Sequence, residues 1–194
     1  MRIEICGGIA SGKTTLASIL GENGYQPVLE KFQTNPFWAD FFEDQSKFAF
    51  ETEITFLLLH YHQIKAEVGQ NCVCDYSFTQ DSAYADLDLN TSKRKAFAVV
   101  QDEIERELGK PEMIIHLTCA PETAWQRLRA RGRSEESQVS LDFLRDLDNA
   151  ILRRLDKVAP GVKLLDINSS EVDFAKSAKD QDAVKSLVRA QLQR

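Results

Sequence analysis

The sequence predicts an α/β fold of three layers, in which a parallel sheet of five strands lies between helices. Short apolar runs alternate with longer segments of helical spacing, which is typical of parallel sheets with helical crossovers. A glycine-rich loop follows the first apolar run, and an acid closes each of the next two, as expected where ligands bind at the carboxyl ends of strands. The chain has 194 residues, so we expect residues 1–194 to form a single domain.

The predicted strands are short and apolar, and turns containing glycine or proline separate them from the helices. They cover residues 3–6, 26–30, 71–75, 113–117 and 162–167. The runs follow one another without an internal repeat or a low-complexity tract. The strand pattern therefore indicates one continuous sheet rather than an array of units.

The predicted helices are identified by apolar residues at helical spacing and by proline or glycine at their boundaries. The first covers residues 15–20, and a short second one runs through Trp38, Phe41 and Phe42 after Pro36. Longer helices are predicted over residues 46–69, 93–108, 121–131, 141–158 and 180–192.

Composition excludes some classes of partner. With 43% hydrophobic residues, 28% charged residues and a net charge of −6, the chain lacks the excess of Lys and Arg that a nucleic-acid or membrane-surface binder needs.

We also expect neither a signal peptide nor a membrane span, and therefore a cytoplasmic protein. Four cysteines lie mostly in apolar runs and are interpreted as reduced core residues, because no second Cys/His pair is spaced to complete a metal site with Cys72 and Cys74.

A phosphate-binding loop follows the first predicted strand. Residues 7–14 read GGIASGKT, which has the G-x-x-x-x-G-K-[ST] form, and a helix is predicted directly after them. Glycines let successive N–H groups point at phosphate oxygens, and the helix adds its positive N-terminal end. We expect Lys13 to reach the β- and γ-phosphates and Thr14 to ligate Mg²⁺. The predicted site for ATP or a related triphosphate comprises Gly7, Gly8, Ile9, Ala10, Ser11, Gly12, Lys13, Thr14 and Thr15.

Two acids stand at the ends of the second and third predicted strands, at the same sheet edge as the loop. Phosphoryl transfer needs a metal and an acceptor for the proton of the attacking hydroxyl. We expect Asp75 to help hold Mg²⁺ through its water shell and Glu30 to accept the proton. An acid at a strand end is by itself more often a helix cap or a loop residue, so these roles depend on the neighbouring loop.

An arginine-rich segment follows the fourth strand. Arg127 and Arg131 share a helix face, and Arg133 follows Gly132. A solvated charged face is the ordinary interpretation of such a segment. Four arginines and no lysine within seven residues of an acidic protein instead favour phosphate clamping, because guanidinium binds phosphate in bidentate fashion. We expect residues 127–137 to form a lid with a hinge at Gly132.

Three motifs occur in order and carry a resemblance to a known family. Leu29 and Glu30 are followed by the letters NPF at residues 35–37, residues 75–85 read DYSFTQDSAYA, and residues 127–136 read RLRARGRSEE. From the loop to about residue 147 the chain resembles the deoxyribonucleoside kinases, particularly the bacterial deoxyadenosine/deoxyguanosine kinase-like branch. The resemblance implies the P-loop kinase fold, a homodimer, Glu30 as general base for the sugar 5′-hydroxyl, and Glu136 as a contact of the 3′-hydroxyl.

The positions that resemble the family's base- and sugar-reading residues are altered in this chain. Glu53 stands where the family usually has Gln, His60 where it has Arg, Phe42 where it has Tyr, and Tyr76 where animal relatives have Arg. Asp81 alone of the base-reading set is kept. An ionised Glu only accepts hydrogen bonds, whereas Gln both donates and accepts, so the pattern offered to a base is changed.

His60 is open to two interpretations. As a functional group it offers one donor and one acceptor when neutral, or two donors when protonated, and it would pair with Glu53 or Asp81. As a structural residue it would simply be a partly exposed polar position of the long helix, like His62.

These observations predict an enzyme that uses ATP and Mg²⁺ to phosphorylate the 5′-hydroxyl of a deoxyribonucleoside, with a purine favoured. Glu30, Lys13, Arg127 and Arg131 form the predicted catalytic set, and Arg133 joins the triphosphate contacts. The predicted nucleoside contacts are Glu30, Phe42, Glu53, His60, Asp81 and Glu136. Residues 166–169 are a candidate contact for the adenine of ATP.

Two other functions share this fold. A nucleoside monophosphate kinase of the thymidylate kinase type would need a cationic residue for its anionic acceptor, whereas the surroundings of Glu30 and Glu53 are acidic. A nucleotide-binding protein without catalysis would explain the altered base contacts, but it would not explain the intact loop, the two strand-end acids and the lid arginines.

Overall fold

The computed structural model describes residues 1–133, 135–158 and 160–193, and in these ranges it contains one sheet of five parallel strands. The strands are β1 (Arg2–Gly7), β2 (Gln26–Val28), β3 (Cys72–Cys74), β4 (Met113–Thr118) and β5 (Lys163–Asn168). Their order across the sheet is β2-β3-β1-β4-β5. The predicted α/β class with a five-stranded parallel sheet is confirmed.

Eight helices surround the sheet in the described ranges. They are α1 (Lys13–Gly21), α2 (Trp38–Glu43), α3 (Gln45–Ala66), α4 (Phe78–Asp88), α5 (Thr91–Leu108), α6 (Pro121–Arg131), α7 (Leu141–Leu155) and α8 (Ala178–Leu192), with short 3₁₀ helices at Phe32–Thr34 and Glu135–Gln138. Several boundaries differ from the predictions by a few residues. The second strand ends at Val28, the long third helix ends at Ala66, and α7 ends at Leu155, each two or three residues before its predicted end. Helix α4 was not predicted at all.

The two faces of the sheet bury different helices. In β1, Ile3 and Ile5 point to one face, where they pack with α1 and α8. Cys6 points to the other face and packs with α7. This division follows from the two-residue period of a strand and from burial on both sides, which requires apolar residues throughout. The sheet is the middle one of three layers.

Helix α4 was missed because the residues it buries are largely polar, which weakens the apolar periodicity. Gln80, Asp81 and Ser82 are all buried in it. A local signal does mark its start: the backbone N–H of Gln80 donates to Oγ of the N-cap residue Ser77 at 3.0 Å, as in the Ser-x-x-Gln capping pattern. A bidentate pair between Asp86 and Arg154 fixes α4 against α7.

Strand β1 lies at the centre of the sheet, between β3 and β4. The connection that leaves β1 runs to β2 on one side, whereas the connection that leaves the neighbouring β4 runs to β5 on the other. Parallel sheets bind ligands in the crevice that this reversal opens at the carboxyl ends. The loops after β1, β2 and β3 therefore meet at one edge. Among the helices of the described residues, none is both long and apolar enough to cross a membrane.

Candidate active site

The loop at residues 7–14 wraps tightly around the start of α1. Gly12 has a φ of +104°, in the left-handed region that favours glycine. At Gly7 a Cβ atom would lie 2.6 Å from the backbone carbonyl oxygen of Leu117, so this position also requires glycine. Gly12 is the N-cap of α1 and makes no side-chain cap, which leaves first-turn N–H groups directed at the cleft. The loop fits the phosphates of a nucleotide.

Helix α4 supports the beginning of this loop. The backbone N–H of Gly7 donates to Oε1 of Gln80 at 3.2 Å in a buried contact. Gln80 also lines the central cavity. The phosphate-binding loop and α4 are therefore joined by a direct hydrogen bond.

Lys13 lies along the inner side of the loop. Its Nζ donates to the carbonyl oxygens of Gly7 and Gly8, each at 2.9 Å. Burial lowers the pKa of Lys13, while the carboxylates of Glu30 and Asp75 oppose that shift. The ammonium group is thus placed between the loop backbone and the acidic side of the cleft, where a bound phosphate would compete for it.

Asp75 joins the phosphate-binding loop to the segment after β2. Its Oδ2 accepts a hydrogen bond from the Thr14 hydroxyl, and its Oδ1 accepts one from the backbone N–H of Glu30, both at 2.6 Å. Burial raises the pKa of Asp75, and these two donors lower it. The sequence prediction placed all three residues at one sheet edge, and the structure brings them into direct contact.

The Thr14 and Asp75 oxygens also fit Mg²⁺. This ion prefers hard oxygen donors and usually takes most of its ligands from water and phosphates, with one or two carboxylates from the protein. The structure offers a hydroxyl and a carboxylate side by side at the mouth of the loop. The described residues contain no cluster of three or more His, Cys, Asp or Glu side chains suited to a metal, and Mg²⁺ needs none.

His60 of α3 bridges two acids beside the loop. Its Nδ1 lies 2.9 Å from Oδ2 of Asp81, and its Nε2 lies 3.1 Å from Oε1 of Glu30. The ring is stacked on Tyr76, with centroids 3.8 Å apart and planes inclined by 10°. His60 is therefore a buried, partnered residue, whereas His62 is exposed. Its partners are Asp81 and Glu30, and no hydrogen bond to Glu53 occurs among the described contacts.

These contacts fix the charge of His60. Burial alone would lower its pKa, but Asp81 and Glu30 outweigh that effect and raise the pKa to about 10. The ring is therefore an imidazolium at neutral pH and donates one N–H to each carboxylate. In Glu30, burial favours the neutral acid, but the hydrogen bond and charge of His60 lower the pKa overall. Glu30 is accordingly ionised.

Aromatic side chains form one wall of a cavity of about 1030 Å³ that runs from the loop to α2 and α3. Trp38 contacts Phe42 edge-on at 4.8 Å between ring centroids, and it contacts Phe56 in the same way at 5.5 Å. Phe42 therefore lies in an aromatic group at the distal end of the cavity. Flat apolar walls of this kind suit a planar ring. The carboxylates of Glu53 and Asp81 line the same space.

The NPF letters at residues 35–37 have a structural reason in this chain. Asn35 is buried, its side-chain amide donates to the carbonyl of Thr52 at 3.0 Å, and its Oδ1 accepts from the backbone N–H of Phe37 at 3.1 Å. This Asx turn joins the segment after β2 to α3. The turn thereby fixes the position at which α2 begins, and α2 carries Trp38 and Phe42.

The lid residues pair with one another. Arg131 binds Glu136 in bidentate fashion, with Nε 2.7 Å from Oε2. Nη1 of Arg133 lies 3.3 Å from Oε1 of the same carboxylate, and its guanidinium lies 4.6 Å from the centroid of Phe32. Gly132 ends α6 with a φ of +62°. All three charged residues line the central cavity, with Glu136 facing its arginine partners.

Arg127 binds the segment that follows β5. Its Nη2 donates to the carbonyl oxygen of Ser169 at 2.7 Å, and its Nη1 donates to Oγ of the same residue at 3.2 Å. Arg127 therefore holds one end of the segment suggested as an adenine contact. In this conformation the segment at residues 169–176 lines the cavity beside Gly12 and Thr15.

Comparison with known proteins identifies the family. A family model described as deoxynucleoside kinase matches residues 3–193. The chain belongs to the deoxynucleoside kinase family. The predicted resemblance is confirmed, and the family match extends well beyond residue 147, where the predicted resemblance ended.

Individual relatives and solved structures agree with this membership. The chain is 24% identical to a deoxyguanosine kinase of Bacillus subtilis over 197 residues, covering 96% of this chain and 95% of that protein. It is 31% identical to a deoxyadenosine kinase of Dictyostelium discoideum over 182 residues, covering 87% and 72%. A structure of deoxyadenosine kinase from M. mycoides with bound dCTP has a TM-score of 0.82 at 19% identity, covering 98% of this chain and all of that one. This last likeness shows a shared fold.

The deoxynucleoside kinase pocket of this chain contains residues that sequence reasoning missed. Tyr84 and Asp88 line the cavity from α4, three and seven residues after Asp81. That spacing puts all three on one helix face. Because α4 was not predicted, the shared face could not be inferred, although the Ser77-x-x-Gln80 cap was a usable signal. Trp38 and Phe56 were recognised only as apolar helix residues.

Glu53 differs from the expectation of an ionised side chain. It is 6% exposed on α3. Burial raises its pKa well above the usual value, and the negative charges of Asp88 and Asp81 raise it further, while His60 opposes them. The environment of Glu53 therefore favours the neutral carboxylic acid, which both donates and accepts hydrogen bonds.

Proposed function

We propose that this deoxynucleoside kinase transfers the γ-phosphoryl group of ATP to the 5′-hydroxyl of a purine deoxyribonucleoside, with Glu30 as the general base. One observation carries the proposal. Asp75 binds the Thr14 hydroxyl with one oxygen and the Glu30 backbone with the other, so an ionised acid is anchored directly beside the phosphate-binding loop.

In the proposed reaction the 5′-hydroxyl gives its proton to Glu30 as its oxygen forms a bond to the γ-phosphorus. The bond from that phosphorus to the bridging oxygen breaks, and ADP leaves. His60 holds Oε1 of Glu30. Within the described part of the chain, Oε2 of Glu30 accepts no hydrogen bond, so it is available to the substrate hydroxyl. A base held in this way needs little reorganisation before proton transfer.

The loop amides, Lys13 and the arginines are proposed to bind the phosphates. Lys13 would exchange its bonds to the Gly7 and Gly8 carbonyls for phosphate oxygens. Thr14 and Asp75 would hold Mg²⁺, which supplies charge neutralisation on the β- and γ-phosphates when bound. Lys13, Thr14, Asp75 and the two lid arginines Arg131 and Arg133 line the same cavity.

We propose that residues 127–137 act as a lid. The Arg131 and Arg133 guanidiniums already face the cavity, where Glu136 holds them together. A triphosphate would compete with the Glu136 carboxylate for these cations, because guanidinium binds both anions in the same bidentate manner. Release of Glu136 would then free it to bind the sugar 3′-hydroxyl.

The purine assignment is supported by the relatives and by the shape of the cavity. The similar proteins from B. subtilis and D. discoideum are named deoxyguanosine and deoxyadenosine kinases. The distal end of the cavity combines the aromatic wall of Trp38, Phe42 and Phe56 with buried hydrogen-bonding groups. This combination suits a planar heteroaromatic base.

The acceptor end of the cavity disfavours a nucleoside monophosphate. Four carboxyl groups line it, those of Glu30, Glu53, Asp81 and Asp88. The cationic His60 uses both of its nitrogens on Glu30 and Asp81. The phosphate of a nucleoside monophosphate would therefore be repelled by negative charge. The uncharged 5′-hydroxyl of a nucleoside would instead lie beside the general base Glu30.

A phosphate-transfer panel tests this function. Purified protein with ATP and Mg²⁺ is given deoxyribonucleosides, ribonucleosides and their monophosphates, and the products are separated by charge. We expect 5′-phosphorylation of deoxyadenosine, deoxyguanosine or both, well above that of every monophosphate. Preferred use of a monophosphate, or nucleotide binding without transfer to any acceptor, would contradict the proposal.

We further propose a cytoplasmic homodimer. All four cysteines, Cys6, Cys72, Cys74 and Cys119, are buried and unpaired, which suits a reducing compartment. Dimerisation is proposed from the family resemblance. Sedimentation equilibrium of the purified chain tests it, and a single species with the mass of one chain, 22.0 kDa, would contradict it.

A further inference from the structure

Strand β1 is longer than its neighbour β3. The pairing of the two strands ends with Glu4 opposite Cys74, whereas β1 continues to Gly7. Beyond that last pair, the backbone N–H of Gly7 donates to Oε1 of Gln80 at 3.2 Å rather than to a strand carbonyl. The side chain of Gln80 thus takes the place of a strand and satisfies a buried donor at the start of the phosphate-binding loop.

This contact fixes the orientation of the Gln80 amide. A backbone N–H donates only to an acceptor, so the oxygen of the side-chain amide faces Gly7 and its NH₂ group faces away. The backbone of Gln80 is also held, because its N–H donates to Oγ of Ser77 at 3.0 Å. Gln80 is only 5% exposed. The residue is therefore fixed at its backbone and at its amide oxygen, and the direction of its NH₂ group is determined.

The NH₂ group of Gln80 is left without an acceptor by the described residues. Within residues 1–133, 135–158 and 160–193, Nε2 of Gln80 donates to no protein atom, and it is not sealed off from the cavity. Gln80 lines the central cavity. A side-chain amide in a nearly buried position needs a hydrogen-bond partner. The donor is therefore directed at an acceptor that enters the cavity.

Gln80 lies between the groups proposed to act on phosphate and those proposed to act on the nucleoside hydroxyl. On one side, the Gly7 peptide connects it to Lys13, whose Nζ donates to the Gly7 carbonyl oxygen at 2.9 Å. On the other side, the next residue, Asp81, belongs to the buried chain of hydrogen bonds that ends at Glu30. The proposed reaction brings the γ-phosphoryl group into the space between Lys13 and Glu30.

A phosphoryl oxygen is the acceptor that fits an amide donor at this position. During transfer, the negative charge of the γ-phosphoryl group is spread over three non-bridging oxygens. Because Gly7 uses the amide oxygen of Gln80, the amide can donate to an oxygen but cannot take a proton from the substrate. A donor that is fixed before the substrate arrives needs little reorganisation, so it is effective in stabilising charge that develops during the reaction.

We propose that Gln80 is a further catalytic residue, whose Nε2–H donates to a non-bridging oxygen of the γ-phosphoryl group while Oε1 holds the phosphate-binding loop. Gln80 gains and loses no proton. The bonds that form and break remain those between the 5′-hydroxyl, Glu30 and the γ-phosphorus. This inference rests on the proposed function in that it takes the cavity as the site of phosphoryl transfer.

Nuclear magnetic resonance of the unmodified protein detects this contact without turnover. The side-chain NH₂ signal of Gln80 is assigned through its backbone and followed with Mg²⁺ and the β,γ-imido analogue of ATP, with Mg²⁺ and ADP, and with deoxyadenosine alone. We expect one NH₂ proton to move downfield with the analogue, because a hydrogen bond to an anionic oxygen deshields it, and to stay in place with the other two ligands. A signal that the analogue leaves unmoved, or that ADP or deoxyadenosine moves equally, would overturn the proposal.

Two substitutions measure the effect on catalysis. Gln80→Met removes the donor and the acceptor at nearly the same length, and we expect kcat to fall about a hundredfold. Gln80→Glu keeps an oxygen for Gly7 but replaces the donor with an acceptor that repels phosphate, so it should lose at least as much. Gln70→Met and Gln70→Glu, at an exposed position, are the matched controls. Full turnover in Gln80→Glu would show that Gln80 only anchors the loop.

The two measurements separate the role of Gln80 from the proposed function. The resonance measurement needs neither variant to fold, because it uses the unmodified protein. A downfield shift with the ATP analogue, together with no transfer to any nucleoside, would reject the kinase assignment while retaining Gln80 as a ligand of the γ-phosphate. Transfer to a nucleoside with an unmoved Gln80 signal would reject the role of Gln80 alone.

Discussion

The two ends of the cavity are built in different ways. The phosphate end consists of eight consecutive residues, 7–14, whose backbone amides and adjacent side chains form the binding surface. The base end is assembled from side chains of α2, α3 and α4, which come together only in the folded chain. The phosphate end follows a general pattern, whereas the base end is particular to this sequence. Substitutions at the phosphate end should therefore abolish activity, whereas substitutions at the base end should change which nucleoside is phosphorylated.

Glu30 lies where the two ends of the cavity meet, and its replacement should cause the largest loss of activity. In Glu30→Gln the amide cannot accept the proton, so we expect kcat to fall about a thousandfold. Folding and ATP binding should be preserved, because Asp75 binds the backbone of residue 30 rather than its side chain. Steady-state kinetics and calorimetric titration of ATP measure these quantities. The control Glu22→Gln changes an exposed carboxylate, and undiminished turnover in Glu30→Gln would refute the assigned role.

Replacing His60 tests how strongly a residue of the base end affects phosphoryl transfer. His60→Gln removes the cation between Asp81 and Glu30, so we expect a loss of about 3 kcal/mol in the free energy of unfolding and a fall in kcat of about ten- to a hundredfold. The pKa of Glu30 should rise once His60 no longer lowers it, which moves the acid limb of the kcat profile to higher pH. His62→Gln, two residues along on the exposed side, is the matched control. An unmoved acid limb would mean that His60 has a structural role only.

Alkaline pH should weaken the same contact in the unmodified protein. Folding raises the pKa of His60 from 6.5 to about 10, so its stabilising contribution is complete below about pH 6.5 and is lost as pH rises through about 10. The difference in unfolding free energy between the unmodified protein and His60→Gln should therefore shrink between neutral pH and about pH 10. Urea unfolding at both pH values measures it. A constant difference would show that His60 is not charged in the folded state.

The smallest effect is expected at Arg127, which was predicted to be catalytic but whose side chain binds Ser169 in this structure. Arg127→Lys loses the paired bonds to Ser169, so the segment after β5 should be less well held and ATP should bind about three- to tenfold more weakly. The KM for the nucleoside should not change. Arg153→Lys, at an exposed position of α7, serves as control. Weaker nucleoside binding in Arg127→Lys would place this residue at the base end instead.

The difference between the two ends also explains what the sequence could predict. Spacing within a short segment identified the loop, and hydrophobic runs placed Glu30 and Asp75 at one edge, because parallel strands bring their carboxyl ends together. Both inferences use local order along the chain. The direct contacts of Asp75 with Thr14 and Glu30 follow from that geometry.

Contacts between helices that are far apart in the sequence could not be predicted from local order along the chain. The pairing of His60 with Asp81 and Glu30 depends on α3 crossing α4, and α4 itself was hidden by its buried polar residues. The raised pKa of Glu53 depends on burial and on Asp88, neither of which can be inferred from the spacing of residues in the sequence. Similarly, the pattern of the lid predicted a phosphate clamp, but not that Glu136 would occupy its arginines.

Neighbouring residues on α4 serve the two ends at once. Gln80 holds the amide of Gly7, and the next residue, Asp81, holds His60. Any shift of this helix would disturb phosphate and base recognition together. Engineering a new substrate preference is therefore best attempted on α2 and α3, at the aromatic wall or Glu53, while α4 is left unchanged.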